Sequence, residues 1–231
     1  MADLWRKASM RALRRRAGLL GMPAFKCVFS PSHAYLTSMR LCLEVPMSLI
    51  DISPPAFDLD IALAYATPDN ITGKPFYRAD ARPYLHPAAV ECLKIAIGLA
   101  RPLGLRFKVF DAYRPVEGQW ALWNASPDPE FVADPGKGGP HNRGVALDLT
   151  LIDASGHELD MGTGFDALTP LSHHGRTDVP LEAQRNRLLL LGLMTAAGFE
   201  FYTNEWWHYQ LFNARDYPIV AQSDLPSPVM D

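Results

Sequence analysis

The stretch that decides the fold is His141-Asn-Arg-Gly-Val-Ala-Leu-Asp148, which runs from a turn into a predicted β-strand. The run from Val145 to Leu151 is strand-like, and alternation along a strand turns Asp148 toward one face of the sheet. The glycine within the stretch permits a bend, so that His141 can face the same cleft. A second stretch, Glu205-Trp-Trp-His208, leads into another predicted strand. We therefore expect both stretches to meet at one cleft.

The two stretches together hold the side chains of a catalytic zinc site. Such a site binds zinc through nitrogen and carboxylate oxygen at about 2.0–2.2 Å, with three protein ligands and one open position. A carboxylate in an apolar run is costly to bury without a cation or several donors, which favours Asp148 as a ligand. We predict that His141, Asp148 and His208 bind one Zn²⁺ per chain. The alternative for the histidines is two unrelated side chains near loops.

Glu205 and Arg114 are the residues predicted to act on a substrate. A carboxylate three positions before His208 can take a proton from a water at the metal and return one to a leaving amine. The neighbouring tryptophans indicate a partly desolvated setting, which raises a carboxyl pKa. Arg114 follows a predicted strand and precedes a proline, and its guanidinium could stabilise an oxyanion. The alternatives are a surface glutamate and an ion pair between Arg114 and Asp111.

Helices and strands are interspersed along the rest of the chain. Apolar residues recur on one face after Pro87, which predicts a helix that ends at Pro102 and Gly104. The same reasoning predicts two more helices, from Pro115 to about Trp123 and from a cap at Asp178 to Gly198. Further strands are predicted at 106–110, 199–202 and 206–211, and loops at 54–83 and 127–140. We therefore predict an α+β fold with a small, mainly antiparallel sheet and helices packed around it.

Composition and charge suit one ordinary globular domain. The 231 residues are 48% hydrophobic and carry a net charge of -3, which gives no global attraction to nucleic acid or acidic membranes. No apolar run approaches membrane-spanning length. The three cysteines are odd in number and widely spaced, so a disulfide framework is not expected. This favours a reducing compartment, and we expect a cytoplasmic location, with a periplasmic one as the alternative.

Residues 1–46 differ in character from residues 47–231. Basic side chains crowd into the start of the chain: Arg6, Lys7, Arg11, Arg14, Arg15 and Arg16. The apolar stretch after them is too short for a signal peptide. We predict a poorly ordered extension at 1–46 and a domain at 47–231. A basic arm that binds nucleic acid is the alternative.

The motifs resemble those of the D-alanyl-D-alanine dipeptidases. The stretch from Gly139 to Asp148 resembles the S-x-H-x-x-G-x-A-x-D motif of that family, and Glu205-Trp-Trp-His208 resembles its E-x-W-H motif. Asp111-Ala-Tyr-Arg-Pro115 is similar to the segment that carries the family's catalytic arginine. The resemblance covers roughly Ser48 to Tyr217. The family's serine is replaced here by Gly139, which affects the expected substrate recognition rather than the metal chemistry.

The resemblance implies a zinc peptidase fold shared with D,D-carboxypeptidases and the Hedgehog signalling domain. It implies His141, Asp148 and His208 as zinc ligands, Glu205 as general base and acid, and Arg114 as oxyanion stabiliser. Asp166 matches an acidic position that lies near the substrate's ammonium group in the family. The implied reaction is hydrolysis of D-alanyl-D-alanine, or a close D,D-dipeptide, in peptidoglycan metabolism.

Other functions remain open from the sequence. One is a D,D-carboxypeptidase or endopeptidase that acts on cell-wall peptides and needs an open cleft. Another is a non-catalytic zinc-binding module, against which the presence of both Glu205 and Arg114 argues. The expected partner is a small dipeptide, with neither nucleic acid nor membrane, and the oligomeric state is undetermined. Tyr202, His173 and His174 are possible pocket residues that we do not predict as ligands.

Overall fold

A computed structural model describes residues 48–231 of the chain. The extension predicted at 1–46 lies outside the described residues, so its predicted order and its alternative role as a basic arm stay predictions. The described part holds seven strands and three α-helices, in this order: β1 (Ile50–Asp51), β2 (Leu59–Ile61), β3 (Tyr84–Leu85), α1 (Pro87–Ala100), β4 (Arg106–Asp111), α2 (Val116–Ala125), β5 (Ala146–Ile152), α3 (Leu181–Ala196), β6 (Glu200–Phe201) and β7 (His208–Gln210).

A five-stranded sheet in the order β2-β4-β5-β7-β6 forms the centre of the domain. β4, β5, β7 and β6 pair antiparallel, and only β2 joins parallel, beside β4. β1 and β3 form a separate antiparallel pair. The predicted α+β fold with a small, mainly antiparallel sheet is confirmed.

The two faces of β5 divide the domain into a hydrophobic core and a polar cleft. Leu147, Leu149 and Leu151 are fully buried and belong to one apolar cluster with Leu93 of α1 and Leu190 of α3. Because side chains alternate along a strand, the residues between these leucines face the other way. Asp148 therefore points away from the leucine core, where a polar site can form.

Three details differ from the predictions or add to them. β2 lies in the segment predicted to be a loop, because three residues are too few to show a periodicity and their pairing partner is distant in sequence. The prediction that Asp178 caps α3 is wrong: Pro180 is the N-cap, and Asp178 pairs with Arg176. Within residues 48–231, no helix is both long and apolar enough to cross a bilayer.

The leucine run of α3 provides a test of the core. Leu190 is fully buried whereas Leu188 is 65% exposed on the same helix. We expect Leu190→Ala to lower the free energy of unfolding by about 2–5 kcal/mol, since it removes buried methyl groups and leaves a cavity. Leu188→Ala, the matched control, should change it by less than about 0.5 kcal/mol. Urea unfolding of both variants measures the difference, and equal losses would contradict this packing.

Candidate active site

Strand register brings the central polar side chains together. Asp148 on β5 lies directly opposite His208 on β7, and it lies opposite Asp111 at the end of β4 on its other side. Cross-strand partners project from the same face of a sheet. Three buried polar residues therefore form a row across the cleft face of the sheet.

His141 completes a compact group with Asp148 and His208. His141 Nε2 lies 3.1 Å from His208 Nδ1 and 3.3 Å from Asp148 Oδ2, and His208 Nδ1 lies 3.1 Å from Asp148 Oδ1. A tetrahedron with metal–ligand bonds of about 2.0–2.1 Å has edges of about 3.3 Å. Each of these distances is close to such an edge, with Asp148 facing the two rings through different oxygens, and all three side chains are buried.

His141 is held in the orientation that a metal ligand needs. It opens a single helical turn, His141–Arg143, which ends at Gly144 with φ 63°. A side chain at Gly144 would also come within 2.8 Å of Leu49, so glycine fits both the bend and the space. The ring Nδ1 lies 2.6 Å from the carbonyl oxygen of Ala112, to which it donates. Nε2 is thereby left with its lone pair facing the other two ligand atoms.

Gln210 fixes the ring of His208 in the same way. Its amide nitrogen donates to Glu200 Oε1 at 3.2 Å, which orients its oxygen toward His208 Nε2 at 3.0 Å. Since that oxygen only accepts, Nε2 carries the proton and Nδ1 keeps its lone pair. Gln210 was not among the residues predicted from the sequence, although its place two residues after His208 on one strand puts it on the same face.

The charges of the group suit a cation. Burial opposes the ionisation of Asp148, but the imidazoles of His141 and His208 outweigh it and hold the pKa of Asp148 below its usual range. A metal would displace the inner protons of the rings, and two neutral imidazoles with outward protons and one carboxylate are a donor set typical of catalytic zinc. The described residues thus form a site that could hold a divalent metal, and zinc fits its nitrogen and oxygen donors.

Arg114 lies against this group and is itself buried. Its guanidinium contacts Asp111 Oδ2 at 2.7 Å and Asp148 Oδ2 at 3.4 Å, and donates to Gln119 Oε1 at 3.0 Å. The ion pair with Asp111, which the sequence left as an alternative, is therefore present together with the approach to the metal group. Buried carboxylates around the guanidinium keep it charged, because they offset the cost of burial.

Glu205 reaches the same group from the turn before β7. Its Oε2 lies 3.9 Å from His208 Nδ1, and the residue is only 7% exposed. Burial raises the pKa of Glu205 to about 8, with a further contribution from the negative charge of Asp148 and against the attraction of His208. A carboxylate with a raised pKa is a stronger proton acceptor when ionised, as a general base requires.

A cavity of about 230 Å³ lies in front of these residues. Arg114, His141, His208, Glu205 and Asp166 all line it. The predicted loop at 127–140 contributes one wall, and Tyr202 donates to the carbonyl oxygen of Glu130 in that loop at 2.8 Å. Gly139 also lines the cavity, at the position where the resembled motif has serine. Pockets for drug-sized ligands measure about 300–1,000 Å³, so this cavity suits a smaller molecule.

Asp166 presents a carboxylate oxygen that has no protein partner. Tyr65 donates to Oδ1 at 3.3 Å, whereas Oδ2 is shielded from solvent and contacts no donor within the described residues. Burial raises the pKa of Asp166 to about 7, and the charge of Asp148 adds to this effect. An unpaired buried acceptor in a cavity wall is suited to a donor on a ligand. No role for Tyr65 was predicted from the sequence.

His173 and His174 lie outside the metal group. Neither lines the cavity, and His173 faces Glu130, whose Oε1 is 3.6 Å from its Nε2. Burial lowers the pKa of His174 to about 4, so this ring is neutral near neutral pH. Among residues 48–231, the only group of histidine, cysteine and acidic side chains close enough to share a metal is His141, Asp148 and His208.

The chain is similar in sequence to proteins described as D-alanyl-D-alanine dipeptidases. The family model described as D-ala-D-ala dipeptidase (Peptidase M15) matches residues 47–225. The D-alanyl-D-alanine dipeptidase of Escherichia coli is 47% identical over 173 residues, which cover 75% of this chain and 89% of that protein. The D-alanyl-D-alanine dipeptidase of Streptomyces coelicolor is 34% identical over 64% of this chain and 83% of that protein. A solved structure of a variant of the vancomycin resistance D,D-pentapeptidase VanY with Zn(II) has a TM-score of 0.36 and 17% identity, over 58% of this chain and 75% of that chain.

The hydrogen bond from His208 to Gln210 provides a test of the metal group. Gln210→Ala leaves His208 Nε2 without its acceptor, so we expect zinc affinity to fall by about 10–100-fold. Competition with a chromophoric chelator measures it. Gln184→Ala is the matched control, because that amide bonds only the backbone near the start of α3. Equal zinc affinity in both variants would contradict the orienting role of Gln210.

Proposed function

This chain belongs to the Peptidase M15 family of D-Ala-D-Ala dipeptidases, and on that premise we propose that it hydrolyses free D-alanyl-D-alanine to D-alanine. The observation that carries the proposal is one small cavity lined by His141, His208 and Glu205 and also by Asp166, whose Oδ2 has no partner among the described residues. A dipeptide places its scissile bond close to its own ammonium group. One cavity of about 230 Å³ suits both features of such a substrate.

We propose one Zn²⁺ per chain, held by His141, Asp148 and His208. When bound, zinc supplies a Lewis acid that polarises a carbonyl group and lowers the pKa of water to about 7. Two observations support this assignment: the spacing of 3.1–3.3 Å among the three donors and the outward protons of both rings. His141 and His208 also line the cavity, where a substrate can approach them.

Glu205 is proposed to move the protons of the reaction. Its carboxylate takes a proton from the attacking water and afterwards gives a proton to the departing amine. Burial and the nearby carboxylates raise its affinity for a proton, which aids the first transfer. The adjacent Trp206 and Trp207 are buried, so the carboxylate works in a setting with little competing water.

Arg114 is proposed to stabilise the negative charge that develops on the carbonyl oxygen. Its guanidinium is fixed by Asp111, Gln119 and Tyr65, and it lines the cavity beside His141. A donor held in place before the reaction needs no reorganisation when the charge appears. The buried ion pair with Asp111 thus serves to orient Arg114.

Asp166 is proposed to bind the substrate's ammonium group. Asp166 lines the cavity, its Oδ2 has no partner among the described residues, and a charged N–H donor would satisfy that oxygen. This favours a free dipeptide over the cell-wall polymer, whose peptides lack an ammonium group at the corresponding position. The wall formed by the 127–140 loop also limits the length of a peptide that fits. The expected cytoplasmic location stays a prediction, which cell fractionation would test.

A substrate panel tests the proposed activity. We expect the zinc-loaded protein to cleave D-Ala-D-Ala, and N-acetylation of that dipeptide to lower kcat/KM by about 10²-fold or more, since Asp166 loses its charged partner. L-Ala-L-Ala and a capped tripeptide ending in D-Ala-D-Ala are measured alongside by amine release. Cleavage of the capped tripeptide at the rate of the free dipeptide would instead indicate a carboxypeptidase.

Glu205→Gln tests the proton transfers separately from metal binding. The amide keeps the shape of the side chain but cannot accept a proton, so we expect kcat to fall by about 10²–10⁴-fold. Zinc content, measured by atomic emission, should stay at one per chain. Glu182→Gln, at an exposed position in the first turn of α3, is the matched control. Near-normal turnover in Glu205→Gln would show that another group is the base.

A further inference from the structure

Arg187 is a buried cation that contacts no carboxylate within residues 48–231. Its guanidinium instead donates to the carbonyl oxygens of Met161 at 2.6 Å, Leu171 at 2.8 Å and His173 at 3.2 Å. A buried charge without a counter-ion is costly unless several acceptors surround it. These acceptors lie at the two ends of residues 161–173, which we call the Asp166 loop. Arg187 therefore joins the start of this loop to its end.

Thr163 joins the same loop to the segment that carries Glu205. Its hydroxyl oxygen accepts from Trp206 Nε1 at 2.9 Å and from Arg187 at 3.3 Å. The backbone N–H of Trp206 also donates to the carbonyl oxygen of Ser172 at 3.1 Å. Since Trp206 directly follows Glu205, the proposed base and the Asp166 loop share one set of hydrogen bonds.

The protons of this network can be assigned. A hydroxyl has one proton, and Thr163 already accepts two hydrogen bonds, so its own proton goes to Ser172 Oγ at 3.0 Å. Ser172 in turn donates to the carbonyl oxygen of Ala167 at 2.6 Å. Ser172 is fully buried, so water does not replace this bond. The chain of bonds from Arg187 thus ends on the residue that follows Asp166.

Asp166 adopts a backbone conformation that needs such support. Its φ of 57° is left-handed, which costs a residue with a side chain roughly 1–2 kcal/mol. If Asp166 changed to a negative φ, its carboxylate would turn away from the cavity wall. The bond between Ser172 and Ala167 opposes that relaxation at the adjoining peptide.

We infer that Arg187, Thr163 and Ser172 are positioning residues that hold Asp166 in place and so set the affinity for the substrate's ammonium group. This inference rests on the proposed function, in which Asp166 binds that group. None of the three residues lines the cavity, so they act through Asp166 and not by touching the substrate. Ser172 is the best position for a substitution. Its hydroxyl donates to the Ala167 carbonyl oxygen, whereas its bond with Trp206 uses the backbone carbonyl, which a change of side chain leaves in place.

Ser172→Ala in two backgrounds tests the inference with zinc-loaded protein and D-Ala-D-Ala. In the wild-type background we expect KM to rise about tenfold, the worth of one buried hydrogen bond, with kcat changed less than about twofold. In an Asp166→Ala background the same substitution should change kcat/KM by less than about twofold, because the group it positions is gone. An equal loss in both backgrounds would overturn the inference. Ser155→Ala, whose hydroxyl serves an exposed turn, is the matched control.

Thr163 offers a second test that does not depend on the folding of Ser172→Ala. Thr163→Ser keeps the hydroxyl and should keep KM within about twofold, whereas Thr163→Val removes it and should raise KM about tenfold. Equal KM values in these two variants would overturn the inference.

Hydrogen exchange provides a readout that needs no turnover. Backbone amides of residues 164–169 should exchange faster in Ser172→Ala than in Ser155→Ala, and unchanged exchange would overturn the inference. If the wild-type protein cleaves none of the dipeptides, the proposed function fails, and the exchange result alone decides whether these residues hold the loop.

Discussion

The pairing of β5 with β7 is the constraint on which the site depends. It sets Asp148 opposite His208, with Asp111 on the other side of Asp148. Strand side chains alternate between faces, so a slip of one residue would turn Asp148 toward the leucine core and a leucine toward the cleft. The burial of Leu147 and Leu149 therefore stabilises both the domain and the geometry of the metal group.

Sequence patterns were sufficient to predict those elements and site residues whose signal lies within a short stretch of the chain. The apolar periodicity after Pro87 and the alternation around Asp148 predicted α1 and β5. The two motifs and the segment before Pro115 predicted five site residues. The structure places four of these, Arg114, His141, Glu205 and His208, around one cavity, with Asp148 in contact with both histidines. They were not sufficient for features that depend on contacts between residues far apart in the sequence or on side-chain hydrogen bonds. β2 exists through its pairing with β4, and Gln210 has meaning only once its contacts with His208 and Glu200 are seen. The family resemblance supplied the role of Asp166, which its loop sequence alone could not.

Buried charges in this domain are stabilised in two different ways. Arg114 lies against carboxylates, in a group whose members also approach the metal site. Arg187 contacts backbone carbonyls and a hydroxyl instead. Carbonyl dipoles compensate a cation without introducing a further negative charge near the cavity. The charged or titratable side chains nearest the site are thus Arg114 and four carboxyl groups, those of Asp111, Asp148, Glu205 and Asp166.

Gly144 connects the proposed metal site with the segment before β1. A side chain there would meet Leu49, and the Gly144 carbonyl oxygen accepts from the backbone N–H of His86 at 2.7 Å. Leu49 lies directly before β1, in a small apolar cluster with Tyr84, Tyr113 and Val229. Leu49, near the start of the described domain, therefore packs against the turn that carries His141. Truncation of the protein beyond Ser48 would remove the Leu49 contact and loosen His141, a proposed metal ligand more than ninety residues later in the chain.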